Sequence, residues 1–250
     1  NYFIILDSDC LLPPHYLDTV DYFLENTYYD CYGGADAAHP NFTPLQKAIN
    51  YTMTSFFTTG GIRGSEKSIS SFEPRSFNMG ISKQAFEATN GFARIHPGED
   101  PDLSQRILKA GYKTTFIPNA FVYHKRRISW KSFYKQVQKF GLVRPILNKW
   151  HPSVAKVTFW LPTLFVLFVL LSIVAALLFS TLWLLPLLVY LLLIFLDASV
   201  RTSNIVIGIY AVFAMFIQFF GYGIAFLKST FYIHWLNKDP EKKFPNLFFK

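Results

Sequence analysis

The chain has 250 residues, 51% of them hydrophobic, with 24 Lys/Arg against 16 Asp/Glu and a net charge of +8. That length allows one sizeable domain with an appendage. The excess charge does not point to nucleic acid, because it is gathered beside apolar stretches and is not spread over the polar half.

Residues 1–122 carry nine Lys/Arg and thirteen Asp/Glu, a net of −4, and read as a globular α/β or α+β domain. Residues 123–156 carry nine Lys/Arg and no acid, and residues 157–196 and 202–227 carry no charge. The apolar stretches suit a bilayer, and the basic segment beside them suits anionic headgroups and the positive-inside rule. Cys10 and Cys31 show neither a metal spacing nor a disulfide framework. Each is expected to be a small buried apolar residue in a reducing, cytosolic setting.

In chain order, Tyr2-Phe3-Ile4-Ile5-Leu6 is a continuous apolar run, expected as a central strand covered on both faces. It begins without an initiating Met, so an upstream portion is expected, and no basic segment precedes it as in a secretory signal. Pro13-Pro14 opens a helix with Tyr16, Leu17, Val20 and Leu24 on one face. A return strand at residues 30–34 and a helix at residues 44–57 follow. Residues 58–71, rich in Gly and Ser, read as a mobile loop. A strand at residues 76–81 leads to a helix at residues 83–89 that stops at Asn90-Gly91. A short helix at residues 99–110 and strands at residues 114–117 and 121–123 complete the polar half.

Beyond Ser129 the pattern changes. Trp130, Phe133, Tyr134, Val137 and Phe140 form one face of a helix, with Lys131, Lys135, Gln138 and Lys139 on the other, as in a basic amphipathic helix at a membrane interface, the alternative being a helix packed on the core; the apolar spans that begin fewer than twenty residues later favour the interface. Residues 158–179 and 182–196 fit two antiparallel transmembrane helices turning near Ser180-Thr181, and residues 205–227 fit a third. The basic segment before residue 157 and the basic tail both favour the cytoplasmic side, whereas three crossings put them on opposite sides. Either one span is re-entrant or the stretch from Ile205 to Leu236 is broken differently.

Three constellations carry chemistry. Asp7-Ser8-Asp9 lies just past the first strand, where two carboxylates offer hard oxygen ligands for Mg²⁺ or Mn²⁺ bridging a diphosphate, and open α/β sheets bind ligands at the carboxyl ends of strands. Glu99, Asp100 and Asp102 crowd a helix start, where they serve either as acids complementing the helix dipole or as a general base for an attacking hydroxyl. His124, Arg126 and Arg127 follow a strand. The imidazole can complete a metal site, and the guanidinium groups either pair with a departing pyrophosphate or face lipid headgroups.

In this order the motifs resemble the inverting, GT-A-fold glycosyltransferases of family 2. Asp7-Ser8-Asp9 matches the family's donor and metal motif. Phe77-Asn78-Met79-Gly80-Ile81-Ser82 with Ala85-Phe86 and Gly91-Phe92 is similar to its acceptor-side segment. Glu99-Asp100 resembles its Glu-Asp pair, whose Asp is the catalytic base. The resemblance spans about residues 1–130 and implies a nucleotide-sugar donor, a divalent ion and, on the acceptor side, Asn78, Met79, Gly80, Asp102 and Trp130. The family's first half, which holds the base and ribose, has no counterpart here. Processive members carry Gln/Arg-x-x-Arg-Trp near the membrane, whereas Arg126-Arg127-Ile128-Ser129-Trp130 has Ser129 in place of the second Arg, which favours transfer of one sugar at a time.

The expected fold is therefore α/β, a GT-A-like mixed-sheet domain incomplete at its N-terminus. Residues 1–128 form the C-terminal part of the catalytic domain, 129–156 an interface helix and linker, 157–236 a transmembrane region and 237–250 a basic tail. The expected enzyme moves sugar to a lipid-linked or envelope acceptor at the plasma (inner) membrane, multi-pass, with its catalytic part cytoplasmic. Its partners are the donor, the acceptor and membrane lipids, with no nucleic acid. The rivals are a transporter, disfavoured because the long spans lack ionisable residues, and a non-catalytic membrane-bound sugar-binding protein.

Overall fold

The computed structural model describes residues 1–37, 39–59 and 72–249, so most of the loop expected at residues 58–71 lies outside the described residues. The chain forms two compact units, one of Asn1–Asn41, Gly64–Lys125 and Phe248–Lys250, the other of Phe42–Arg63 and Arg126–Leu247.

The first unit is built on two sheets. Strands β1 (Tyr2–Leu6), β3 (Cys31–Gly33), β5 (Asn78–Ser82) and β6 (Thr114–Phe116) form a mixed sheet in the order β1-β5-β3-β6, antiparallel except for β3 with β6. A second sheet, not expected from the sequence, orders β2 (Cys10–Leu11), β7 (Val122–His124) and β4 (Asp36–Ala37) as β2-β7-β4. Two-residue strands carry no periodicity by which a sequence reading can find them.

β1 corrects one expectation. It is an edge strand among the described residues, not a central one, and Phe3 and Ile4 are exposed. A run of apolar residues marks a strand, but its place in the sheet depends on pairing partners far along the chain. β5 is the buried centre, with no exposed residue from Asn78 to Ser82.

Helix α1 (Tyr16–Asn26) packs Tyr16 and Val20 with Tyr32, Ile117 and Val122. Helices α4 (Lys83–Ala88) and α5 (Glu99–Lys109) supply Ala85, Leu103 and Ile107 to a cluster with Cys31, Met79 and Ile81. Ser82 caps α4 by accepting from the Ala85 amide, and Asn90 and Gly91 end it with positive φ, as the Asn-Gly signal indicates. Gly34 and Gly80 are fixed by space. A Cβ at Gly34 would sit 1.7 Å from the Ala120 carbonyl oxygen, and one at Gly80 would sit 1.9 Å from the Tyr32 ring.

The second unit is helical. It contains α2 (Pro44–Thr54), α3 (Phe56–Thr59), α6 (Trp130–Trp150), α7 (Leu161–Leu178), α8 (Leu185–Thr202) and α9 (Ile205–Thr230). A capping box at Thr43 and Gln46 starts α2. Helix α2 falls inside the 1–128 stretch yet packs Ala48 and Tyr51 with Ile194, Ala198, Ile207, Ala211 and Met215, so the compact units cut across that division. Helix α6 is longer than its amphipathic pattern and runs through Pro145 to Trp150. Val157–Leu178, Thr181–Thr202 and Ile205–Trp235 are long and apolar enough to cross a membrane, which associates the chain with membranes.

Candidate active site

The residues expected to carry chemistry divide between the units. Asp7, Asp9, Asn78, Glu99, Asp100, Asp102 and His124 lie in the first, and Arg126, Arg127 and Trp130 in the second.

Asp7 and Asp9 occupy the turn between β1 and β2, closed by a hydrogen bond from the Cys10 amide to the Asp7 carbonyl. β2 pairs with β7 so that Cys10 faces His124 in register, and the Lys125 amide donates to the Asp9 carbonyl. This ladder brings the imidazole to the acids, with His124 Nε2 3.4 Å from Asp9 Oδ1 and 3.7 Å from Asp7 Oδ2. The His124 ring stacks on Phe77 at 5.0 Å between centroids, which fixes its plane.

Asp9, Cys10 and His124 each place a ligand atom within 4.8 Å of the others, a cluster that could hold a metal ion. Cys10, expected to be a buried apolar residue, is only half-buried and belongs to the cluster by position. Burial, then the charges of Asp7 and Asp9, push its thiol up to about 12, and its Sγ donates to the Phe77 carbonyl at 3.5 Å. The cluster therefore offers carboxylate oxygens, an imidazole and a neutral thiol, and the oxygens suit a hard divalent ion better than the thiol suits a soft one.

The second group of acids lies within electrostatic reach of the first. Burial raises the pKa of Asp7, His124 opposes that, and the charges of Asp9 and Glu99 raise it further. Glu99 Oε1 is 3.1 Å from His96 Nδ1, and its Oε2 is buried without a hydrogen-bond partner. Burial also raises the pKa of Asp100, the charge of Glu99 adds to that rise, and Arg75 opposes both, with Nη1 3.9 Å from Asp100 Oδ2. The strip bearing Arg75 is fastened to α5, since Ser104 Oγ donates to the Pro74 carbonyl and Gln105 Nε2 to Glu73 Oε1.

Asp102 has a different neighbourhood. Its carboxylate accepts from Arg106 Nε at 2.8 Å, and the same guanidinium donates to the carbonyls of Thr89 and Gly91. This clamp ties α5 to the Asn90-Gly91 turn. Asn78, Met79 and Gly80 are buried within the sheet. The Tyr16 hydroxyl donates to Asn78 Oδ1 at 2.6 Å, and Asn78 Nδ2 donates to the Ala120 carbonyl at 2.7 Å. These three residues belong to the buried central strand of the first sheet.

In the second unit Arg126 is buried. Its Nε donates to Asn50 Oδ1 at 2.9 Å, and its carbonyl accepts from Gln46 Nε2. Arg127 is exposed. Trp130 begins α6 and packs edge-on against Tyr210 and Phe213. The sequence reading missed Arg75 and His96. His96 lies three residues before Glu99, a spacing visible in the sequence, whereas nothing local announces that Arg75 reaches Asp100.

No curated protein matches the chain. A protein-family model described as glycosyl transferase family group 2 matches residues 2–220, and that span takes in both groups of acids, His124 and the first apolar helices; the chain belongs to this family of glycosyltransferases.

Proposed function

We propose that the chain transfers a sugar from a nucleotide-diphosphate sugar of the UDP or GDP type to a lipid-linked or cell-envelope acceptor, with inversion and one residue at a time. The observation that carries this reading is the convergence of Asp7, Asp9 and His124, with the charge of Glu99 felt at Asp7. Asp9 and His124, with Asp7 beside them, would hold Mg²⁺ or Mn²⁺, which supplies charge to the diphosphate as it leaves. Asp100 takes the proton from the acceptor hydroxyl as that oxygen attacks the anomeric carbon. Glu99, 3.1 Å from His96, acts by its charge on both Asp100 and Asp7. Of the two guanidinium groups expected to pair with a departing pyrophosphate, Arg126 spends its Nε on Asn50, and Arg127 is exposed. The first unit faces the cytoplasm, where nucleotide sugars are made. Ser129, in place of an arginine, supports single transfers over polymer synthesis.

The test is Asp100→Asn in the full-length enzyme, with donor binding and transfer measured on the same preparation. Binding retained with transfer abolished is expected, and wild-type transfer would remove Asp100 from the reaction.

A further inference from the structure

Three described helices are apolar enough to cross a membrane, yet two independent observations set α9 apart. The first is its companion. Helix α6 follows α9 in parallel along nearly its whole length. Trp130 packs on Tyr210 and Phe213, and Val137 lies against Gly221. Gly141 meets the Tyr222 carbonyl, Ser229 Oγ donates to the Leu142 carbonyl, and Lys149 Nζ reaches Asn237 Oδ1 at 2.5 Å. The face of α6 turned away from this seam is exposed and polar, with Lys131, Lys135, Gln138 and Lys139.

Lys139 stands two residues before Gly141, level with the middle of the 31-residue apolar stretch Ile205–Trp235. If α9 stood upright in a bilayer, Lys139 would lie near the midplane, about 15 Å from either interface. A four-carbon stem does not reach that far. At 1.5 Å per residue the stretch is also about 46 Å long, well beyond a hydrocarbon core of about 30 Å. Helices α7 and α8 differ, exposing Leu164, Leu171, Leu177, Leu188 and Leu193 with no charge before Asp197.

The second observation is the return of the chain. Phe248 bridges to Ile95, and the Phe249 amide donates to the Arg94 carbonyl, so the chain beyond Leu247 belongs to the same compact unit as Asp7 and Asp100. A chain that leaves a unit on one side of a bilayer and rejoins it has crossed an even number of times. Three crossings break that rule, and withdrawing α9 restores it.

We propose that α9 does not cross the bilayer. It lies along the membrane surface with α2 and α6 on its aqueous side, and among the described residues the α7–α8 hairpin is the part that crosses the lipid. Ile205, Val206, Ile209, Phe213 and Ile224, exposed on α9, face the headgroup and acyl boundary, as in surface-lying amphipathic assemblies. The polar end of the hairpin, where Asp197 accepts from Tyr51 and Arg201, is held at that surface by α2.

The experiment labels single cysteines with a membrane-impermeant maleimide in sealed vesicles of either orientation, in a Cys10→Ser, Cys31→Ala background. Lys109→Cys marks the catalytic unit. Lys139→Cys, Ser203→Cys and Asn237→Cys should label from the same face as Lys109→Cys and lose labelling in the opposite orientation. Protection of Lys139→Cys from both faces, or labelling of Asn237→Cys only from the face opposite Lys109→Cys, overturns the proposal. The unmodified chain supplies a second arm, because trypsin should cut at Lys238–Lys243 from the face where it cuts near Lys109 and Lys113. Cleavage of those two regions from opposite faces overturns the proposal as well. Neither arm requires sugar transfer, so the outcome is separate from the assignment of Asp100.

Discussion

Cys10 and His124 are partners across the β2–β7 ladder, and that pairing is what sets His124 Nε2 3.4 Å from Asp9 Oδ1. The site is thus assembled by two strands of only two and three residues. Its geometry depends on register, because a slip of one residue would turn His124 to the other face.

The ladder predicts the behaviour of the metal cluster. His124→Ala and Asp9→Ala should each weaken Mn²⁺ binding by at least about tenfold, given that even supporting groups around a metal are worth 10–100-fold. Titration of the purified enzyme with Mn²⁺, followed by donor binding with and without chelator, reads this directly. Unchanged Mn²⁺ affinity in both variants would assign the ion elsewhere.

As the proposed base, Asp100 should set the acid limb of activity. Burial lifts its pKa above the usual carboxylate range and Arg75 holds it down, so the ionised base accumulates only as pH rises through that raised value. Arg75→Met removes the opposing charge, and the acid limb of kcat/KM should move to higher pH with the alkaline limb unmoved. A profile that moves to lower pH, or only scales down in height, contradicts the pairing.

Stability runs the other way. A carboxyl whose folded pKa is raised contributes stability at low pH, and that contribution is lost as pH rises through the folded pKa. Asp100→Asn should therefore melt no lower than wild type at neutral pH while transfer falls by about 10²–10⁴, the range of a lost general base. Thermal melts at two pH values beside the transfer assay check both halves.

Asn78 should prove structural by calorimetry. Asn78→Ala strips buried partners from the Tyr16 hydroxyl and the Ala120 carbonyl, a loss of about 1–3 kcal/mol for each group left unsatisfied. A melt within experimental error of wild type would show that these bonds are replaced.

Close packing in the helical unit is testable at Gly141, where an added Cβ would come within 2.4 Å of the Tyr222 carbonyl oxygen. Gly141→Leu should part α6 from α9 and lower the melting temperature in detergent, whereas Gly111→Ala, with open space around it, should cost only the strain of its positive φ.

What the sequence made legible follows the range of the signals. Local signals held: the helix stop at Asn90-Gly91, the strand at Asn78–Ser82 and the helix opening at Glu99 all rest on neighbouring residues. The ordered motifs also led to the right family. What stayed hidden depends on partners far along the chain. The apolar run at Tyr2–Leu6 does not say that it ends up at an edge, and nothing near Pro44 says that Ala48 joins one buried cluster with Ile207. Arg75 and Asp100 are likewise brought together by the hydrogen bonds of Ser104 and Gln105, which fasten a strip to a helix. The roles proposed for Asp7, Asp9 and Asp100 rest on the chemistry of their residue types, while the approach of His124 to Asp7 and Asp9 is set by the sheets.

The bridge between Ile95 and Phe248 bears on how the molecule is made. Phe248 and Phe249 leave the ribosome after all three apolar helices, so this edge of the catalytic unit stays open throughout synthesis of the membrane segment. Early residues fold as they emerge, but the loop holding His96, against whose ring Phe249 rests, waits for residues made after the apolar helices. Insertion into the membrane thus precedes completion of the unit, and a ribosome stalled within α9 would leave a nascent chain with its sheets formed and this loop still unfastened.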